Sequence, residues 1–282
     1  MILNAGKVKD IAAETVGRRV ALTVAGFDPS SGAGVTADLK VLANHEVYGV
    51  AAIAALTVQS TQGVCKVEPV WDRVLRETLE CLADDVPSGY AQFAGVKIGM
   101  LGSAANVRAL VNFLRAAAIP RERIVLDPVI RSSSGSELLD PVGIGLLRDD
   151  LLELVGWVTP NVDELGALTG TREVRREQIP ELAARMASGA GSGLNVVVTG
   201  GHLDPPDDFL RTAAGEETWL TGEKVETTSS HGTGCVFSSA LLCRLIAGDG
   251  PVDAVRGAKT FVTDALRSAV PIGKGRGPVL TR

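Results

Sequence analysis

Along this chain, short unbroken apolar runs alternate with longer stretches in which apolar residues return every three or four positions. Arg19–Ala25, RVALTVA, is almost continuously apolar and closes on Gly26, the pattern of a strand buried on both faces. Ala33–Asn44 follows with Val35, Leu39 and Leu42 at helical spacing. The same reading predicts strands over Gly49–Val58 and Val64–Val70, then a helix over Trp71–Ala83. Val96–Met100 reads as a strand, Ala104–Ala117 as a helix, Ile124–Leu126 as a strand and Val142–Leu154 as a helix. Gly156–Val158, Val162–Leu168, Glu181–Ala190 and Asn195–Val198 continue the alternation. Phe209–Ala213 and Glu217–Leu220 read as an edge hairpin, and two helices, Val236–Ile246 and Val252–Ala269, complete the pattern.

Alternating strands and helices predict an α/β fold, a mostly parallel central sheet with helices on both faces. No linker, repeat or low-complexity stretch interrupts the pattern, so residues 20–282 read as one domain behind a short helical extension at 1–19. Open sheets of this kind bind ligands beyond the carboxyl ends of their strands. In this chain the segments after the strands are rich in glycine and small polar residues: GFDPSSGAG, QSTQG, GMLGS, DPVIRSSSG, TPNVDE, TGGH and SSHGTGC.

With 282 residues, 45% of them hydrophobic, the chain can bury a sizeable core. The formal net charge of −5, without a basic stripe, argues against a nucleic-acid partner and for a small substrate met in a pocket. Four dispersed cysteines without a CxxC spacing read as reduced thiols of a cytoplasmic protein. Lys7, Lys9, Asp10 and Glu14 break up the start where a signal peptide needs an apolar run, and no uncharged window is long enough to span a membrane.

The strongest chemical motif is His231-Gly232-Thr233-Gly234-Cys235, which runs directly into the apolar stretch VFSSALLCRLIAG. A glycine turn opening a helix offers unpaired backbone N–H groups and the positive end of the helix dipole to a phosphate. Glycines there let the backbone approach closely. Cys235 falls in the first helical turn, where the N–H groups favour thiolate, so it reads as a base toward a substrate hydroxyl or as a group that polarises it. Asp28-Pro29-Ser30-Ser31-Gly32-Ala33-Gly34 is neither GxxxxGK[ST] nor GxGxxG; its glycines suit a flat ligand. Asp38, one turn into the next helix, is either a partner for an amino group or ring nitrogen, or a solvated helix carboxylate. Gln59 offers a donor and an acceptor to the edge of an aminopyrimidine, or stabilises its turn. Asp127, after IVL, and Glu164, after GWVTP, are strand-end carboxylates suited to Mg²⁺ beside a bound nucleotide. Glu164 also stands three residues after Asn161, the spacing of a helix capping box. His45 reads as an exposed helix residue, His202 as a turn residue, and three histidines without an i, i+4 pair argue against zinc.

Taken in order, ALTVAGFDPSSGAGVTADLK, YGVAAIAALTVQSTQGV, VKIGMLG, IVLDPVI, TPNVDELGAL, TGGHL, HGTGCVFSSAL and IGKGRGPV resemble the hydroxymethylpyrimidine and phosphomethylpyrimidine kinases of thiamine biosynthesis. The likeness covers about residues 20 to 279 and implies the ribokinase-like α/β fold, ATP and Mg²⁺ as cofactors, and a homodimer. By this resemblance Gly26, Asp38, Gln59, Met100 and Val129 line a pyrimidine pocket. Gly232, Thr233, Gly234 and Cys235 form the anion hole, with Cys235 where sugar kinases of the superfamily use an Asp. Asp127 and Glu164 organise Mg²⁺. Thr199 stands where many relatives have Lys, and Lys274 in the GKG loop supplies positive charge on the nucleotide side. The resemblance implies ATP-dependent phosphorylation of 4-amino-5-hydroxymethyl-2-methylpyrimidine and its monophosphate. A pyridoxine or pyridoxal kinase and a non-catalytic pyrimidine-binding protein are the alternatives.

Overall fold

The computed structural model describes residues 19–85, 93–117, 119–132, 135–191 and 193–279. The extension expected ahead of residue 20 therefore lies, apart from Arg19, outside the described residues. Its strands are β1 (Val20–Phe27), β2 (Tyr48–Ser60), β3 (Gly63–Pro69), β4 (Phe93–Ile98), β5 (Ile124–Leu126), β6 (Trp157–Val158), β7 (Asn195–Val198), β8 (Asp208–Arg211) and β9 (Glu217–Leu220). They form one sheet in the order β3-β2-β1-β4-β5-β6-β7-β8-β9. The pairings from β2 across to β7 are parallel, while β3, β8 and β9 join antiparallel at the two edges.

Eight helices cover the described sheet: α1 (Gly34–Asn44), α2 (Asp72–Asp85), α3 (Ala104–Ala117), α4 (Pro141–Leu146), α5 (Val162–Thr169), α6 (Ile179–Gly189), α7 (Thr233–Ala247) and α8 (Pro251–Ser268). One face packs α1, α7 and α8 through Val41, Val236, Leu241 and Val255. The other packs α2 to α6 through Leu79, Leu110, Leu165 and Ile179. Because both faces are covered, a central strand such as β1 is buried along most of its length, which its unbroken apolar run had foretold.

Two expected elements differ. The helix read over 142–154 is α4 followed by a π-helical turn, Leu147–Leu151, and a 3₁₀ turn, Leu152–Leu154. Widening the helix lets Leu147, Leu151 and Leu152 all bury, which ideal 3.6-residue spacing does less well. His45 is not an exposed helix residue: it caps α1, its ring Nδ1 lies 2.9 Å from the Val41 carbonyl, and it packs on Phe261. Among the described residues, no helix is long and apolar enough to cross a membrane.

The chain leaves β1 toward β2 on one side and returns to β4 on the other. The crevice for a ligand therefore opens at the carboxyl ends of β1 and β4.

Candidate active site

Two loops meet over that crevice. The loop after β1 winds around Asp28, whose carboxylate accepts hydrogen bonds from the Ser30 N–H (2.8 Å) and hydroxyl (2.7 Å) and from the Gly32 and Ala33 N–H groups (3.1 and 3.0 Å). Burial opposes the Asp28 charge, but the bonds from His231 and Ser30 outweigh it and hold the pKa below its ordinary value. The second loop is the turn into α7. Gly232 has φ +87°, and a Cβ there would lie 1.8 Å from the Gly32 carbonyl oxygen. Its glycine character serves the contact between the two loops, not the approach of a phosphate. Gly234 is different: its φ is ordinary, and a Cβ would meet only the Asp127 carboxylate, 3.7 Å away across the crevice. No side chain caps the start of α7, so its first-turn N–H groups are left for a ligand.

Asp127 ends β5 and is 5% exposed; the Ser238 hydroxyl donates to its Oδ2 at 3.3 Å. Burial raises its pKa, with Lys97 opposing and Asp38 adding to the shift. Glu164 lies at the start of α5, where it completes the capping box expected from its spacing: Asn161 N–H donates to its carboxylate and its own N–H bonds the Asn161 side chain, both at 2.9 Å. Burial, and then the charge of Asp127, push its pKa up. Two hard-oxygen carboxylates at adjacent strand ends, each reluctant to ionise without a cation, form a donor set that fits Mg²⁺.

Cys235 departs from the expectation drawn from its place in the helix. Burial, together with the charges of Asp127 and Asp38, pushes its thiol up to about 12, against the opposing pull of Lys97 and a hydrogen bond from Gly34 N–H. The local benefit of a helix start loses to desolvation, so the group at neutral pH is a thiol. Asp38 also departs from expectation. It is 0% exposed, so the solvated reading fails. Its carboxylate accepts from Lys97 Nζ (2.9 Å to Oδ1), Thr23 Oγ1 (2.6 Å to Oδ2) and Ser239 Oγ (2.9 Å to Oδ1).

Gly26, Met100 and Val129 come together at the mouth of the crevice. A Cβ on Gly26 would lie 2.8 Å from the Met100 methyl carbon, and Met100 and Val129 share an apolar cluster with Ala55 and Leu138. Gln59, near the end of β2, meets Thr57 and His231 instead. Thr199 ends β7, with its N–H on the Pro160 carbonyl, beside the start of α5. Lys274 is exposed on the last loop, whose Gly275 N–H donates to Thr61 Oγ1; it stands by the β2–β3 turn rather than at the end of β7. Two further residues were not singled out from the sequence. Lys97 is a lone charge inside the apolar strand VKIGM, an anomaly that called for a buried partner. His231 sits inside the HGTGC motif and joins Asp28 to Gln59.

A doubly covered parallel sheet, an uncapped glycine turn and strand-end carboxylates define a ribokinase-like small-molecule kinase. A model of the family described as phosphomethylpyrimidine kinase matches residues 28–280, and the chain belongs to that family. The hydroxymethylpyrimidine/phosphomethylpyrimidine kinase of Haemophilus influenzae is 36% identical over 262 residues, 91% of this chain and 94% of that one. The crystal structure of phosphomethylpyrimidine kinase from Clostridium difficile is similar with TM-score 0.74 and 30% identity, over 88% of this chain and 99% of that chain. Bacillus subtilis pyridoxal kinase, in an ADP complex, gives TM-score 0.83 and 28% identity over 94% and 97% of the two chains. This chain is accordingly a phosphotransferase.

Proposed function

We propose that this kinase transfers the γ-phosphoryl group of ATP to 4-amino-5-hydroxymethyl-2-methylpyrimidine and then to its monophosphate. The observation that carries the reading is that the uncapped start of α7, with Gly234 exposed, faces the Asp127 carboxylate at the end of β5. Phosphoryl transfer asks mainly for alignment and neutralisation of charge. The N–H groups of Thr233, Gly234 and Cys235 stabilise the oxygens of the group in flight. Asp127 and Glu164 would hold Mg²⁺, which would supply neutralisation of the phosphate charge. Cys235, a neutral thiol, orients the acceptor hydroxyl, whose proton passes to the oxygens of the transferred phosphoryl group. Thr199 lines the nucleotide side, while Lys274 stands apart from it beside the β2–β3 turn. Gly26, Met100, Val129 and Gln59 form the acceptor wall, with Asp38 acting from beneath it. A homodimer would use the outer face of the β2–β3 ribbon, where Leu56 and Val58 are 47% and 60% exposed. A cytoplasmic setting, where ATP and reduced thiols are both available, fits this chemistry.

The test is a coupled ADP-release assay with the pyrimidine alcohol, its monophosphate and pyridoxal. Turnover of both pyrimidines above pyridoxal is the expected result. Preference for pyridoxal would favour the vitamin B6 reading suggested by the likeness to pyridoxal kinases. Pyrimidine binding without ADP release would make the protein a binder.

The acceptor wall gives its own prediction. Gly26→Ala places a methyl group 2.8 Å from the end of the Met100 side chain, which is flexible and swings toward the crevice. Acceptor KM should rise about tenfold, the cost of roughly 1.4 kcal/mol of binding, while ATP KM stays within about twofold. Equal shifts in both constants would move Gly26 out of the wall.

A further inference from the structure

His231 Nε2 lies 2.8 Å from Asp28 Oδ2 and 2.9 Å from the terminal amide of Gln59. Asp28 already accepts four hydrogen bonds from its own loop, and it is ionised at neutral pH. A carboxylate can only accept, so Nε2 must carry the proton, whether the ring is neutral or charged. A ring N–H cannot accept from an amide N–H, so Gln59 must turn its oxygen toward His231. The orientation of a Gln amide is decided by its partners. Turned this way, the Gln59 NH₂ group faces Thr57 Oγ1 at 3.2 Å, and Thr57 is free to accept because its own proton goes to the Phe27 carbonyl at 3.0 Å. The one Nε2–H is then shared between the Asp28 carboxylate and the Gln59 oxygen, one N–H of Gln59 meets Thr57, and its other N–H is left over.

From this we infer that His231 is a positioning residue that fixes the polarity of Gln59, so that Gln59 presents an N–H donor to the acceptor ring. It rests on the reading of Gln59 as part of the acceptor wall. The substrate class it selects is a flat heteroaromatic alcohol with an unprotonated ring nitrogen at that edge. His231 is well placed for the role. Its backbone is held independently, its N–H donating to the Gly277 carbonyl at 3.0 Å and its carbonyl accepting from Val279 N–H at 3.0 Å. Its ring packs directly on Gly32, where a Cβ would come within 2.4 Å of the imidazole. Side-chain changes at 231 can thus alter the polar relay while the Gly232 turn behind it stays anchored.

The experiment is a double-mutant cycle in the full chain, reading acceptor KM, ATP KM, kcat and thermal midpoint. His231→Phe keeps a ring over Gly32 and removes the N–H; Gln59→Leu removes the amide. Each alone should raise acceptor KM about tenfold, the cost of about one polar contact, with ATP KM within about twofold. In the Gln59→Leu background, adding His231→Phe should change acceptor KM by less than about twofold, because His231 acts through Gln59. His231→Gln, which restores an N–H donor, should return acceptor KM to within about threefold of the parent. If the two single effects multiply in the double variant, or His231→Gln rescues nothing, the relay is wrong while the acceptor wall stands. If Gln59→Leu leaves acceptor KM unchanged, the wall itself falls, and the relay with it.

Discussion

Gly234→Val is expected to abolish phosphoryl transfer while leaving the protein folded, with kcat lowered by about 10³-fold or more, the scale of a lost oxyanion-hole donor. Gly234 does not need to be glycine for its backbone, since its φ lies outside the left-handed region. Nor does it need to be glycine for packing, because a Cβ would make only an ordinary contact with the Asp127 carboxylate, 3.7 Å away. Valine is also a better helix former than glycine, so the first turn of α7 loses nothing by the exchange. Its two methyl groups, however, fill the gap between the α7 N–H groups and Asp127, where the transferring phosphate must sit. Turnover should therefore collapse alike for pyrimidine alcohol, pyrimidine phosphate and pyridoxal, with acceptor affinity measured without nucleotide within a few-fold of the parent. Gly232→Val is the informative contrast: it puts a side chain on a left-handed residue and within 1.8 Å of the Gly32 carbonyl oxygen, so it should unsettle the loops and lower the thermal midpoint. A folded Gly234→Val protein that turned over normally would reduce the HGTGC turn to a helix start.

That contrast also marks the limit of what the sequence discloses. The strand–helix alternation was legible because strands buried on both faces leave long apolar runs, as in VALTVAGF, and because α2, α3 and α8 are amphipathic. The segments carrying the chemistry were legible too, since ligands gather at strand ends and those ends are rich in glycine. What the sequence does not separate is Gly232 from Gly234, for the role of each depends on what the fold brings against it. The Gly32 oxygen that forces Gly232 comes from the opposite end of the chain. Cys235 misleads for a related reason: the helix start is a local feature, but the desolvation that overrides it depends on the whole neighbourhood. Asp38 offered a ligand-binding and a solvated reading, and neither held a place for a partner 59 residues away on the neighbouring strand.

That partner underlies the largest expected effect on stability. Lys97→Met should cost about 3–5 kcal/mol, the usual penalty for leaving one member of a buried ion pair uncompensated. Lys97 and Asp38 are both 0% exposed, with Nζ 2.9 Å from Oδ1 and 3.0 Å from Oδ2. Methionine keeps the length and volume of the side chain, so the loss reports charge and hydrogen bonding rather than a cavity. With the ammonium gone, Asp38 keeps only the hydroxyls of Thr23 and Ser239. Asp38→Asn in the Lys97→Met background should recover about half of the loss, because a neutral amide can be served by those hydroxyls. The pH behaviour is also fixed in sign. Burial disfavours the Lys97 charge, but the Asp38 carboxylate bonded to it outweighs that cost, so the folded protein holds this proton more tightly than the unfolded chain. A raised ammonium pKa contributes fully below the unfolded value of about 10.4 and is lost only as pH climbs through the folded one. The stability gap between parent and Lys97→Met should therefore stay level from about pH 6 to 9, where Lys97 remains charged in both states. Because the pair ties β4 to α1, and Ser239 extends it to α7, the two glycine loops at the starts of those helices should lose their mutual alignment, and kcat should fall with stability. Denaturant unfolding at several pH values decides the matter: a gap below about 1 kcal/mol, the scale of an exposed pair, would show that Lys97 and Asp38 do not hold the helices to the sheet.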